Sequence, residues 1–70
     1  MAVLRDPSGK VLGNIGDRNY IGDYPILNDY GDRVAVIEGK NSLGERPVKD
    51  AYGNLLFYIS SNDPINSYLS

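Results

Sequence analysis

Cysteine and histidine are both missing from this sequence. Without cysteine no disulfide can constrain the chain, and without either residue the usual ligands of a structural zinc ion are absent. A single domain of 70 residues sits near the size at which one hydrophobic core leaves only a few kcal/mol of net stability. Oligomerisation or unusually regular packing is the expected remaining source of stability. The lack of cysteine suits either redox compartment and leaves localisation open.

Charge of one sign is never concentrated. Nine acidic and seven basic residues, a net charge of −2, are scattered along the chain, which argues against a nucleic-acid groove or a membrane-surface helix, both of which need clustered Lys and Arg. No apolar run approaches the length of a membrane-spanning helix, and "MAVLRDPSGK" lacks the apolar core of a signal peptide. The expectation is a soluble chain. No window longer than ten residues carries a helical apolar stripe free of Gly or Pro, so no substantial helix is expected. Threonine, favoured in strands, is absent too, and we have no physical account of that.

What the sequence does contain is short runs of Val, Ile, Leu and Tyr punctuated by Gly, Pro, Asn, Asp and Ser, the texture of an all-β protein. It also repeats. The tetrapeptides "DPSG", "NDYG" and "DAYG" begin at positions 6, 28 and 50, a constant spacing of 22, and define three gapless units, 3–24, 25–46 and 47–68. Gly9, Gly31 and Gly53 share one column, and Ile15, Ile37 and Ile59 another; Leu4, Ile26, Val48 and Leu12, Val34, Leu56 keep their apolar character. Pairwise identities of 4, 4 and 6 in 22 exceed the roughly one or two expected of unrelated segments.

Each column has a physical reading. Asp or Asn opening a turn and Gly closing it suit a type I turn followed by a left-handed glycine, a common hairpin connection. The pattern predicts three consecutive β-hairpins, with strands at 2–5 and 10–15, 25–27 and 32–37, and 46–49 and 54–59. The polar quartets "GDRN", "EGKN" and "SSND" read as the turns between hairpins, and Ile21, Leu43 and Ile65 as apolar pins holding those loops to the core. A meander with pseudo-threefold symmetry is expected to curl into a small barrel or rolled sheet, a flatter stack of hairpins being the alternative.

Few residues suggest chemistry. Asp17, Asn19, Gly22 and Asp23 fall at EF-hand loop positions, but Ile21 and Asn28 stand where further ligands belong, so a turn is the plainer reading. Three hexads from Ile15 would make one coil of a β-helix and then stop. Serines lack an evident base, and the carboxylates of Asp29 and Asp32 flank a solvated turn, so no catalytic residue, metal or cofactor is expected. Tyr30 and Tyr52 share a turn column, and Tyr24 and Tyr68 share the last column of their units. Tyrosines on loops can stack on sugar faces or anchor a protein partner, although the ring is also a common edge cover for a small core. Arg18, Lys40 and Asn62 share a column that offers hydrogen-bond donors, with salt bridges to neighbouring Asp as the simpler use. "NLLFYI" is apolar at every other position in both phases, which places it at the centre of the fold or against another copy of the chain.

The segments "DPSGKVLGNI" and "VKDAYGNLLFYI" resemble the short bacterial β-repeats built on a D-x-x-G hairpin, including the tyrosine and aspartate (YD) repeats of RHS-type surface proteins. The resemblance covers the hairpin half of each unit. Arg5, Leu27 and Lys49 stand where that family carries Tyr. It implies a structural shell or surface module rather than an enzyme. The reading is therefore a non-enzymatic binding or assembly module, a homo-oligomer with a possible protein or glycan partner and no nucleic-acid or membrane partner. Tyr24, Tyr30, Tyr52, Tyr68, Arg18 and Lys40 are its candidate contact residues, and carbohydrate binding through the loop tyrosines is the alternative.

Overall fold

The computed structural model describes residues 2–69; Met1 and Ser70 lie outside the described residues. Strands β1 (Val3–Arg5), β2 (Val11–Ile15), β3 (Tyr24–Leu27), β4 (Arg33–Ile37), β5 (Arg46–Asp50) and β6 (Leu55–Ile59) are followed by a short helix, α1 (Ile65–Leu69). Strand order in the sheet follows chain order, and all five pairings are antiparallel. The meander curls into a half-barrel, not a flat stack. Its edges, β1 and β6, do not pair with each other.

The hairpin tips follow from their Asx and Gly residues. Gly9 N–H donates to the Asp6 carbonyl and Asp6 N–H to that of Lys10, and the same pair of bonds recurs at 28–32 and 50–54. Gly9, Gly31 and Gly53 take φ of 92°, 85° and 88°, a conformation open to glycine at little cost. The Asx side chain locks each tip from within: Asp6 Oδ1 accepts from Ser8 and Lys10 N–H, Asn28 Oδ1 from Tyr30 and Asp32 N–H, and Asp50 Oδ1 from Tyr52 and Asn54 N–H.

Beyond each tip the register slips once more, between Leu4 and Arg5, Ile26 and Leu27, and Val48 and Lys49. The extra residue on the partner strand is Leu12, Val34 or Leu56, so that apolar column is a bulge column. Leu12 and Val34 turn onto the core, whereas Leu56, on the edge strand, stays 45% exposed. This bulge also changes the reading of "NLLFYI". Leu55 stands opposite Lys49 while Phe57 stands opposite Val48, so Leu55 is out of phase with the buried Ile59 rather than sharing its face.

The links between hairpins differ from expectation. The turn starts at the last residue of each polar quartet: Asn19 Oδ1 accepts from Ile21 and Asp23 N–H, and Asn41 Oδ1 from Leu43 and Glu45 N–H, with Gly22 and Gly44 at φ 94° and 81°. Ile21 and Leu43 thus sit at the third position of a tight turn and point into solvent, 66% and 74% exposed. They pin nothing. Ile65 alone of the three packs against the core, because there Asn66 replaces glycine and the chain continues right-handed into α1 instead of turning back. Asp63 Oδ1 accepts from Ile65 N–H and Pro64 precedes the helix, both ordinary helix-starting features.

The core is two of the sequence columns plus two additions. Ile15, Ile37 and Ile59, with Leu4, Ile26 and Val48, are at most 3% exposed, and Ala35 and Leu69 join them. Across the junctions between hairpins Ile15 stands opposite Ile26, and Ile37 opposite Val48. Burying one such side chain stabilises the fold by about 1.5–3 kcal/mol. Gly13 belongs to the same packing: a Cβ there would lie 2.6 Å from the Leu27 carbonyl oxygen and 2.9 Å from Ile26 Cγ2, so β2 and β3 can close only over a bare backbone.

Candidate functional site

The strands carry the candidate residues to opposite ends of the half-barrel. Tyr30 and Tyr52 stand on the hairpin-tip rim, each 90% exposed, on turns held by the Asn28 and Asp50 side chains. Two strand spacings separate neighbouring tips, about 9.5 Å. Arg18 and Lys40 lie on the other rim, both exposed, together with Tyr20, which is 99% exposed. The expected salt bridges of Arg18 and Lys40 do not form; the ion pair found among the described residues joins Lys49 to Glu38 at 3.2 Å.

Tyr24 and Tyr68 are near α1 and have different settings. Tyr24 is half-buried, its hydroxyl donates to the Leu69 carbonyl, and the Arg46 guanidinium lies 5.9 Å from its ring centroid. Arg46, only 8% exposed, donates from Nε to Asn66 Oδ1 at 3.1 Å, and Asn66 Nδ2 donates to the Ser60 carbonyl. Tyr24 thereby belongs to the device that docks the helix onto β3 and β5. Tyr68 is 55% exposed and borders a recess with Asn14, Asp17 and Leu27. The six candidates do not converge on one site.

Two carboxyl groups have displaced acidities, and both lie in hairpin tips. The carboxyls of Asp6 and Asp50 are held below their usual range, Asp6 chiefly by the Ser8 hydroxyl and then Lys10 N–H, Asp50 chiefly by Asn54 N–H. Both effects are hydrogen bonds to the charged form, and both serve the turns. In the stretch resembling a calcium loop, Asn19 Oδ1 faces inward to two backbone N–H groups, and no cluster of three or more acidic residues is placed to hold a metal among the described residues.

The feature that sequence reasoning did not locate is the seam between the sheet edges. Leu4, Arg5 and Asp6 from β1 and its turn face Phe57, Tyr58 and Ile59 of β6 across an open cleft of about 490 Å³, with Pro7 and Ile65 also in its walls. Around it Val3, Leu55, Leu56 and Tyr58 are 42–50% exposed. β6 is the one strand of the sheet with no charged residue, proline, glycine or asparagine, and it lies at an edge. The apolar run was visible in the sequence, but its edge position was not.

Comparison with family models, with curated proteins and with solved structures finds no match to this chain.

Proposed function

We propose that the protein is a non-enzymatic assembly module that associates with other chains through the open edge of its sheet. The observation that carries this reading is β6. An edge strand presents a row of unpaired N–H and C=O groups, and proteins that stay apart protect such edges with charge, proline or coverage. "LLFYI" has neither charge nor proline, and Leu55, Leu56 and Tyr58 add half-exposed apolar surface beside it. Size-exclusion chromatography with light scattering tests the reading: a mass above the monomer that rises with concentration is expected, and a folded monomer at every concentration overturns it.

A second reading rests on Tyr30 and Tyr52. A ring 90% in water on a turn locked by its own Asx side chain adds little to the fold, so its area is free to stack on a sugar face. Glycan-array binding that disappears in the Tyr30→Ala, Tyr52→Ala double variant, without loss of stability, supports it. No binding by the parent protein removes it.

A further inference from the structure

The edges β1 and β6 are complementary in a register that the molecule already uses at both junctions between hairpins. At the first junction Asn14 stands opposite Leu27 and Ile15 opposite Ile26. At the second, Val36 stands opposite Lys49 and Ile37 opposite Val48. These positions are related by the 22-residue spacing of the sequence. Advanced by one more interval, the same two rungs place Tyr58 opposite Arg5 and Ile59 opposite Leu4, and all four residues are among those that line the open cleft.

The backbone is set up for the same step. Gly16 N–H donates to the Pro25 carbonyl and Glu38 N–H to the Pro47 carbonyl, and the equivalent groups at the edges are Ser60 N–H and the Val3 carbonyl. In an antiparallel ladder, bonded pairs alternate with non-bonded ones, so Arg5 and Tyr58 each turn both backbone groups out of the sheet. Within one chain the cleft separates these edges.

We infer that β6 of one copy takes β1 of a second copy as its next strand, with Ile59 opposite Leu4 and Tyr58 opposite Arg5. This rests on the assembly reading above and names the surface, the partner and the register. The contact is head-to-tail: the two surfaces differ, so repetition gives a closed ring or an open filament. It continues the Ile-over-Ile and Ile-over-Val layer of the core into the next molecule, and it covers Val3 and Tyr58 on the outer side. The occupant follows from the register, because only a strand of this chain repeats the pairing already made twice inside it.

The chain has no cysteine, so introduced thiols report cleanly. Arg5→Cys and Tyr58→Cys proteins are mixed in equal amounts and oxidised with oxidised glutathione. Directly bonded strand partners lie about 5.5 Å apart at Cα, within the disulfide range of about 4.4–6.8 Å. The mixed disulfide is expected to exceed either homodisulfide by about tenfold, since pairing fixes a high effective concentration of the two thiols. Val3→Cys mixed with Ser60→Cys, two rungs away at the next bonded pair, is expected to give the same excess and serves if either first variant fails to fold. A random mixture of dimers, a predominant Tyr58→Cys homodisulfide, or an intrachain disulfide in a monomeric Arg5→Cys, Tyr58→Cys double variant overturns the inference. If the parent assembles while these patterns appear, the register fails and the assembly reading survives; if the parent is monomeric, both fail.

Discussion

The link between the first two hairpins and the segment after the last strand begin alike and end differently. Asn19 and Asp63 each turn a side-chain oxygen onto the N–H two residues on. Gly22 then takes φ 94° and the chain reverses into β3, whereas Asn66 stays right-handed and the chain winds into α1. One residue at the fourth turn position thus separates a return strand from a helix that closes the core. The comparison teaches that two positions spaced by a multiple of 22 residues can keep the same turn-opening chemistry while its product changes.

The largest effect expected from breaking this contrast comes from the end of α1. Leu69 is 1% exposed, and Leu69→Ala removes the core contact that only the divergent turn makes possible. It should cost about 2–5 kcal/mol in denaturant unfolding, more than an equivalent truncation at the exposed Leu43. A loss below 1 kcal/mol would mean that α1 is not part of the core.

Gly13→Ala probes the junction that the ordinary turn serves. Its Cβ has no room beside the Leu27 carbonyl, so a loss of about 1–3 kcal/mol is expected, with amide exchange protection falling first in β2 and β3. Ala35 occupies the equivalent column on β4, so Ala35→Gly should not show that pattern.

Asn66→Gly sharpens the comparison directly by restoring the D-x-x-G pattern. The variant gives up the Arg46–Asn66 hydrogen bond, leaving a buried donor unsatisfied, and should lose about 1–3 kcal/mol. NMR shifts at 65–69 should lose their helical character. Retained helix there would show that packing, not the missing glycine, sets the direction of the chain.

The smallest effect is acid sensitivity at the tips. Asp6 and Asp50 have depressed carboxyl pKa values in the folded chain, so their contribution is present above the unfolded carboxylate pKa, near 3.9, and is lost as pH falls through the lower folded values. Asn28 makes the same turn bonds without titrating. Replacing Asp6 and Asp50 with Asn should flatten the stability profile below about pH 4 in acid titration; an unchanged slope would place the acid sensitivity elsewhere.

Local chemistry was legible. The hairpin tips, the strand limits to within a residue, and the buried Ile15, Ile37 and Ile59 follow from turn residues and period-two patterning, which are set by near neighbours. The second turn was legible too, since "NYIG" and "NSLG" repeat the D/N-x-x-G logic of the tips, but the polar quartet before each drew the assignment a few residues early. Exposure of Ile21 and Leu43 was not legible, because an apolar residue in a tight turn looks in sequence like a core anchor. The candidate residues separated into two rims and a helix dock because column position does not say which end of a strand a turn occupies.

The sequence by itself determined where the backbone must bend: each Asx side chain satisfies N–H groups two and four residues on, and glycine supplies the left-handed step. Only the tertiary structure decided how far the sheet curls, that a helix after the last hairpin would bring Leu69 into the core and cover Arg46 of β5, and that the most apolar strand would be left at an edge. Those outcomes depend on contacts between residues far apart in the chain, where the shape of the whole sheet, and not the chemistry of one turn, sets which faces meet.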